Sequence, residues 1–600
     1  MRRPATWHVQ PHIATKHSVY CGVVRSLLPP PSQATASVPI VRTAAAVLGV
    51  SALLVLLTWN LLTDPSHLSG DFPADAWMMA HQADALRHGT FPSLTLTSPY
   101  AAFYPVYAFY GGTLFALGGI FTLVVGSYAA QSIVYFLALG AAYGGWLWLA
   151  RMAGLRSWQA HVPAILYLTA PYLVTNVNVR QDLAEVMATS MIPPMLAATL
   201  SILRAERLHA GPAAALAAST VLFGGSHNLT LLWGTTILAV GLAIVAVVMP
   251  QARSLVTWRG TLRILAIVVP AMAVNAWYLV PNLAYHADTV IANRIDEWQA
   301  LLRAPHPELA AQHLLGLRDR TGLPESALST TLPVLAIAWV AMAALVSRAS
   351  WRGPWARMLG VLTVLTVGVL TVMVNPRWIL SLPDPWTMIQ YSFRLETFVL
   401  FGICGAVIAA LRLLDQDAHR WLIGLLLPIL ILSVVNVALQ RHDTPREANS
   451  APTNIDQATA FTIGDYADAT LRQIRAKPDQ PNLVITRADL KRGVMTGNLR
   501  AAPGALIYTS LLTPSRMLHI EGAHVVGRWS APWFPDWQKR WGLVLKINED
   551  ATPGKAHLVI RQARTLPIVS GRIISILGLL GLLANAAVIA RVGRHQRRAR

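Results

Sequence analysis

Two cysteines and six lysines are few for a chain of 600 residues, and only 13% of it is charged. Cys21 stands in a polar leader and Cys404 in an apolar run, which excludes a disulfide framework and a thiolate metal site. Soluble globular chains carry roughly 25% charged residues, so an ordinary cytosolic enzyme is excluded as well. No glycine-rich nucleotide loop follows a strand, and neither an HExxH nor a GxSxG motif occurs. A reaction driven by ATP or a nucleotide sugar would need such machinery on the cytoplasmic side. The basic loops there are too short to hold it, so a transferase would have to draw its group from a membrane lipid.

What the chain has instead is apolar length. Hydrophobic residues make up 54% of it, with 39 glycines in addition. Apolar runs near 43–62, 105–125, 128–150, 160–176, 186–203, 211–226, 229–248, 262–281, 328–347, 356–374, 396–411, 422–440 and 569–590 approach the roughly 17–25 residues that cross hydrocarbon. The net charge of +20 sits in short loops between them, such as Arg151/Arg156, Arg204/Arg207, Arg253/Arg259/Arg263, Arg348/Arg352/Arg357 and Arg412/Arg420, and in the tail Arg591 to Arg600. That is the positive-inside pattern and not a nucleic-acid surface. With a basic leader and a basic tail both inside, thirteen crossings fail on parity. The sequence therefore predicts about 13–14 transmembrane helices, the extra one sought in the glycine-rich stretch 101–150.

The domain plan follows. Residues 1–42 read as a disordered cytoplasmic leader, 43–440 as a transmembrane module with a first outer loop at 63–104, 441–568 as an extracytoplasmic β-rich domain, 569–590 as the final helix and 591–600 as a basic cytoplasmic tail. Five of the six lysines lie in that outer domain. It opens with an expected helix at 465–476. β-rich runs follow at Leu483 to Thr486, Ala505 to Thr509, Met517 to Ile520, Val525 to Trp529, Leu543 to Ile547 and His557 to Ile560. The expected fold is thus a polytopic α-helical membrane protein with a β-rich domain before its last helix, in a plasma membrane.

Unusual polar residues gather on the outer side. Asp71 and Asp75 are four apart, so a continuing helix puts both on one face. They could take a proton from an acceptor hydroxyl or hold a divalent cation, or they could cap the helix that follows. The aromatic run Tyr100 to Tyr110, Tyr104 included, fits an interfacial belt, and also a groove for a lipid chain or a sugar face. Arg180, Asp182 and Glu185 lie at a span boundary, where a charge is costly unless paired; they form an ion pair there or bind an anionic substrate group. His227 in Ser226-His227-Asn228 could be bonded to backbone, ligate a metal or contact phosphate. Gln390 and Arg394 precede an apolar helix; Glu396 is badly placed to pair with Arg394, which could hold a lipid phosphate or reach water.

These motifs resemble bacterial multispanning glycosyltransferases of the GT-C superfold, and more narrowly the YfhO-like group and the membrane proteins called "6-pyruvoyl-tetrahydropterin synthase related". Arg180-Gln181-Asp182-Leu183-Ala184-Glu185 is similar to that group's Arg-Gly-Asp-Leu-x-Glu stretch, with glutamine replacing glycine. Ser226-His227-Asn228 matches a Ser-His-Asn/Pro turn, and Ile389-Gln390-Tyr391-Ser392-Phe393-Arg394 an Ile-Gln-Phe-Pro-Trp-Arg stretch. Trp533 to Trp537, Gly554-Lys555-Ala556-His557 and Gly571 resemble the group's β-domain pattern. Asp75 departs from the usual histidine.

The resemblance implies inverting transfer of a sugar from a polyprenyl-phosphate donor to an extracytoplasmic cell-envelope glycan or glycolipid, with Asp71 as general base and Asp75 and Glu185 beside it. Arg180, Arg394, His227, Tyr104 and Gln390 would contact the donor. Asp71, Asp75 and His227 would hold a Mg²⁺ or Mn²⁺, if one is used. Trp529, Trp533, Trp537 or Trp541 would meet the acceptor or pack the domain. Membrane lipids are the other expected partners, and no nucleic acid is. The rivals are a transporter or flippase of lipid-linked glycans, which predicts polar residues through the depth of the bundle, and a noncatalytic scaffold.

Overall fold

The structure is a computed structural model, and it describes residues 40–63, 71–98, 101–155, 157–293, 327–348, 352–389, 391–414, 419–443, 471–472, 474, 494–499, 501–530, 541–552 and 556–598. Residues 1–39 of the leader, the strand at Leu483 to Thr486, the Trp533 to Trp537 motif and Gln390 lie outside these residues, and Ile40 to Arg42, expected in the leader, open the first helix. Of the helix expected at 465–476 only 471–472 and 474 are described, and they are not helical: the Ile474 N–H bonds the Arg528 carbonyl (2.7 Å) and the Arg528 N–H the Arg472 carbonyl (3.0 Å), the pairing of neighbouring strands.

Every apolar run of the sequence meets a helix. In chain order these are α1 (Ile40–Thr63), α2 (Phe72–Arg87), α3 (Val106–Phe109), α4 (Gly112–Val125), α5 (Ser127–Met152), α6 (Val162–Leu168), α7 (Pro171–Thr175), α8 (Leu183–Arg204), α9 (Ala210–Ser226), α10 (Asn228–Val248), α11 (Trp258–Ala273), α12 (Ala276–Tyr285), α13 (Ala327–Val346), α14 (Pro354–Val374), α15 (Glu396–Leu413), α16 (Leu426–Asp443) and α17 (Leu566–Arg598). Among the described residues, seven helices are long and apolar enough to cross a membrane, and the pair α11 and α12, bent by 65°, makes an eighth. The others are shorter or broken. Pro171, which cannot donate to the preceding turn, separates α6 from α7.

Arginines gather the inner ends. Arg204 donates to the Met152 carbonyl, Arg263 to those of Ala205 and Glu206, and Arg412 to that of Gly154, so α5, α8, α11 and α15 meet at one basic face. Cations there also complement helix C-termini.

The extra crossing sought between 101 and 150 does not exist, and the correction runs the other way. Gly111, just before α4, lies against the Ser226 carbonyl at the outer end of α9. Gly126 turns α4 into α5, whose Ser132 bonds the Leu61 carbonyl at the outer end of α1 and whose Tyr128 stacks on Phe72. Both ends of α4 are therefore outside. Its 14 residues would reach about 21 Å, short of the roughly 30 Å of hydrocarbon. The glycines of this stretch serve packing: a Cβ at Gly118 or Gly119 would strike Met79 or Gln82, so only glycine lets α4 lie against α2. Removing α4 from the thirteen apolar runs leaves twelve, an even number, which is what two basic ends on one side would require.

In the first outer loop β1 (Leu96–Ser98) pairs antiparallel with β2 (Ala101–Tyr104). The outer domain is two three-stranded antiparallel sheets. β3 (Val494–Leu499), β8 (Ala556–Gln562) and β5 (Leu518–Glu521) form one in the order β3-β8-β5. β4 (Leu506–Tyr508), β7 (Trp541–Ile547) and β6 (Ala523–Ser530) form the other in the order β4-β7-β6. Leu543, Leu545, Ile547, Leu558 and Ile560 alternate inward and pack with Phe103 of the first outer loop. Trp529 is fully buried and donates to the Thr509 carbonyl (2.9 Å), so it belongs to the core and not to a glycan surface. The domain is fastened to the bundle by Thr513 on the Phe103 carbonyl, Arg516 on Asp288 (3.3 Å) and Tyr285 on Thr565 (2.5 Å).

Candidate functional site

The residues that the sequence scattered from Asp71 to Arg394 meet where α2, the α7–α8 junction, the α9–α10 turn and the approach to α15 converge. The α7–α8 junction is unusual backbone. Residues Asn176–Arg180 form a π-helical turn, and Gln181 then takes φ +54°, ψ +36°. Such π turns often mark functional sites. The left-handed φ explains why the resemblance expects glycine here: any other residue is strained in that region.

The kink aims Arg180 back at its own neighbours. Its guanidinium pairs with Asp182 (3.1 Å) and Glu185 (3.3 Å), donates to Asn176 Oδ1 (2.6 Å) and Tyr172 Oη (3.3 Å), and lies over the Phe393 ring. Asp182 caps α8 by accepting from the Glu185 N–H (2.9 Å). Glu185 is buried and the most shared group: Tyr172 and Asn176 donate to Oε1, and Arg180 and Arg394 approach Oε2, Arg394 at 3.9 Å. Arg394 thus finds an acid from another helix, as its position in the sequence required.

Asp71 stands at the N-cap position of α2, but its side chain makes no cap bond. Its N–H bonds the Arg180 carbonyl (3.0 Å), and its carbonyl accepts from Asp75 (2.9 Å), which puts both acids on one face. Asp75 is 1% exposed; Oδ2 accepts the Leu183 N–H at 3.3 Å, and among the described residues Oδ1 has no hydrogen-bond partner. Burial raises the Asp71 carboxyl to about 6, with Asp182 adding repulsion against the opposing pull of Arg180 and Arg394. Asp75 is pushed well above the usual carboxylate range by burial, then by Asp71 and Asp182. At neutral pH Asp71 is therefore mostly free to accept a proton.

His227 is buried, and its Nδ1 accepts the Thr230 N–H (3.3 Å), so it caps α10. One ligand atom each from Asp182, Glu185 and His227 lies within 4.8 Å of the others, a set that can coordinate a divalent cation. The sequence had grouped His227 with Asp71 and Asp75; the geometry substitutes the two acids of the α7–α8 junction. These carboxylates already accept from Arg180, Tyr172, Asn176 and Tyr110, so a cation would have to share them.

The aromatic run is not an interfacial belt. Tyr104, Tyr107 and Phe109 are buried, and Tyr107 donates to the Met78 carbonyl (2.7 Å). Tyr104 packs in the bundle core, and it is Tyr110 that reaches the acids, donating to Asp182 (3.2 Å). Tyr110, Tyr172 and Asn176 had not been singled out as site residues. The one available signal was spacing, since Asn176 and Tyr172 precede Arg180 by four and eight residues, one and two helical turns.

No family model and no curated protein matches the chain. Among solved structures, it is similar to the arabinofuranosyltransferase AftD from mycobacteria, with 17% identity over 66% of this chain and a TM-score of 0.39. It spans 27% of that much longer chain. It is also similar to ArnT from Cupriavidus metallidurans bound to undecaprenyl phosphate (15% identity, 62% of this chain, 77% of that one, TM-score 0.30) and to the same protein in the apo state (16%, 62%, 77%, 0.27).

Proposed function

We propose that the protein is a GT-C-type glycosyltransferase that moves a sugar from a polyprenyl-phosphate donor to a cell-envelope glycan or glycolipid on the extracytoplasmic side of a bacterial plasma membrane. The observation that carries this reading is the convergence of one carboxylate poised near neutrality, Asp71, with two guanidiniums, Arg180 and Arg394, at the outer ends of the helices. Transfer from a lipid phosphate needs a base for the acceptor and positive charge for the leaving group.

In this mechanism the acceptor hydroxyl attacks the anomeric carbon and gives its proton to Asp71. The bond from that carbon to the phosphate oxygen breaks, and polyprenyl phosphate leaves with the electron pair. Attack opposite the leaving group inverts the anomeric centre. Arg394 and Arg180 steady the phosphate. Glu185 holds both arginines in place, and Asp75, anchored on Leu183, fixes Asp71 against the α8 N-terminus. A Mg²⁺ or Mn²⁺, if bound, would lie on Asp182, Glu185 and His227 and would add charge stabilisation for the departing phosphate. The narrower kinship with YfhO-like proteins is part of the same proposal.

The test is sugar transfer from a defined polyprenyl-phosphate sugar by purified full-length protein. Wild type forms product and Asp71→Asn does not. A flippase or a scaffold would give no product that depends on Asp71.

A further inference from the structure

A second feature of the outer face lies outside this machinery. Between the C-terminal half of α2, the loop after it, and the edge where β5 and β8 meet the start of α17, there is a cavity of about 810 Å³. Ligand sites span roughly 300–1,000 Å³. Its charged groups fall into two sets. His88 is engaged by Asp84 (3.5 Å) and Arg561 by Glu521 (2.9 Å). Arg564 and Arg572 line the same wall close enough to repel each other, and among the described residues neither has a carboxylate within ion-pair distance. Arg572 is the seventh residue of α17, about 9 Å along a helix that enters the membrane. An arginine there is costly without a partner.

The two guanidiniums at one cavity are donors only. Guanidiniums match phosphate or carboxylate oxygens in bidentate fashion. The remaining wall carries the hydroxyls of Thr90, Ser93 and Thr95 and the ring of Phe91, groups that suit sugar hydroxyls and a sugar face and not an acyl chain. We propose that this cavity binds an anionic saccharide, a sugar unit bearing phosphate or carboxylate, through Arg564 and Arg572.

Asp71 heads the same helix whose far end forms the cavity wall. His81 and His88 are 10 and 17 residues beyond it, about 15–25 Å along the axis. If the transferase reading holds, on which this clause alone rests, the cavity grips the acceptor glycan several units from its reacting end.

The experiment is calorimetric titration of full-length protein in phosphatidylcholine nanodiscs with glucuronate, glucose 1-phosphate and glucose. Wild type binds the two charged sugars in preference to glucose, and raising the salt weakens them. Arg564→Gln/Arg572→Gln loses about tenfold or more in glucuronate affinity, as expected for charge-assisted hydrogen bonds. Arg394→Gln keeps glucuronate binding, which separates this cavity from the donor site. Equal binding of glucose and glucuronate, salt-insensitive binding in the wild type, or loss in Arg394→Gln but not in the double variant would overturn the proposal. So would absence of sugar binding together with stabilisation by phosphatidylglycerol nanodiscs that depends on Arg564 and Arg572, which would make the cavity a lipid-headgroup site. The wild-type salt series stands even if the double variant misfolds. Binding without transfer would sink the transferase reading and leave this one intact.

Discussion

Arg180 and Arg394 sit among acids, sharing Glu185, with Asp182 on one side and the Tyr172 and Asn176 side chains filling the remaining contacts. Arg564 and Arg572, on the same outer face, line the cavity of about 810 Å³, and among the described residues neither has a carboxylate within ion-pair distance. The same residue type therefore does two different things. In the first place its charge is already balanced and its geometry fixed, so it presents a rigid field to whatever arrives. In the second the balance is left for a ligand to supply. Preorganised charge suits stabilisation of a transition state, and unbalanced charge suits capture.

The largest test of that contrast is Asp71→Asn. Sugar transfer should fall by roughly a hundred- to ten-thousand-fold, the usual worth of a positioned base, while thermal stability holds or rises. The sign follows from the raised carboxyl: because it binds a proton more tightly folded than unfolded, this group favours the folded state as pH falls from about 6 toward 3.8, and its ionisation at neutral pH opposes folding. A clear drop in melting temperature would instead give Asp71 a structural role.

Next in size is Glu185→Ala, which strips the shared acid from two guanidiniums. Removing one partner of a buried pair costs about 3–5 kcal/mol, so unfolding in detergent should show a large fall. A change below about 1 kcal/mol would mean that the first arginine pair is no more committed than the second. Transfer by the wild type should also follow pH, half-maximal near 6 and dropping about tenfold per unit below it; a flat profile between pH 5 and 7 would remove Asp71 as the base. The smallest effect is expected from Arg564→Gln/Arg572→Gln, whose unfolding should stay within about 0.5 kcal/mol of wild type. A cost like that of Glu185→Ala would show that these arginines are structural and erase the distinction.

Much of this was legible in the sequence where a residue's cost betrayed it. Arg180, Glu185 and Arg394 stood out because a charge at a span end needs a partner, and Asp71 and Asp75 because four residues make a helical turn. The partnership itself was not legible: Arg394 meets Glu185 across 209 positions, and no local spacing announces that. The composition of α4 misled, since hydropathy cannot separate a helix that crosses hydrocarbon from one that lies on another helix through glycines. Tyr110 and Tyr104 look alike in an aromatic run, and only the turn at Pro105 decides which of them reaches Asp182.

Phe103 belongs to the first outer loop by sequence but to the β-domain by packing, with φ +52° and its carbonyl bound by Thr513. The ring works as a rivet. Seven residues on, Tyr110 touches Asp182, so the domain cannot swing away from the bundle without dragging on the acid that braces Arg180. A pull on the domain would therefore be felt at the Asp182–Arg180 pair, through a lever only a few residues long.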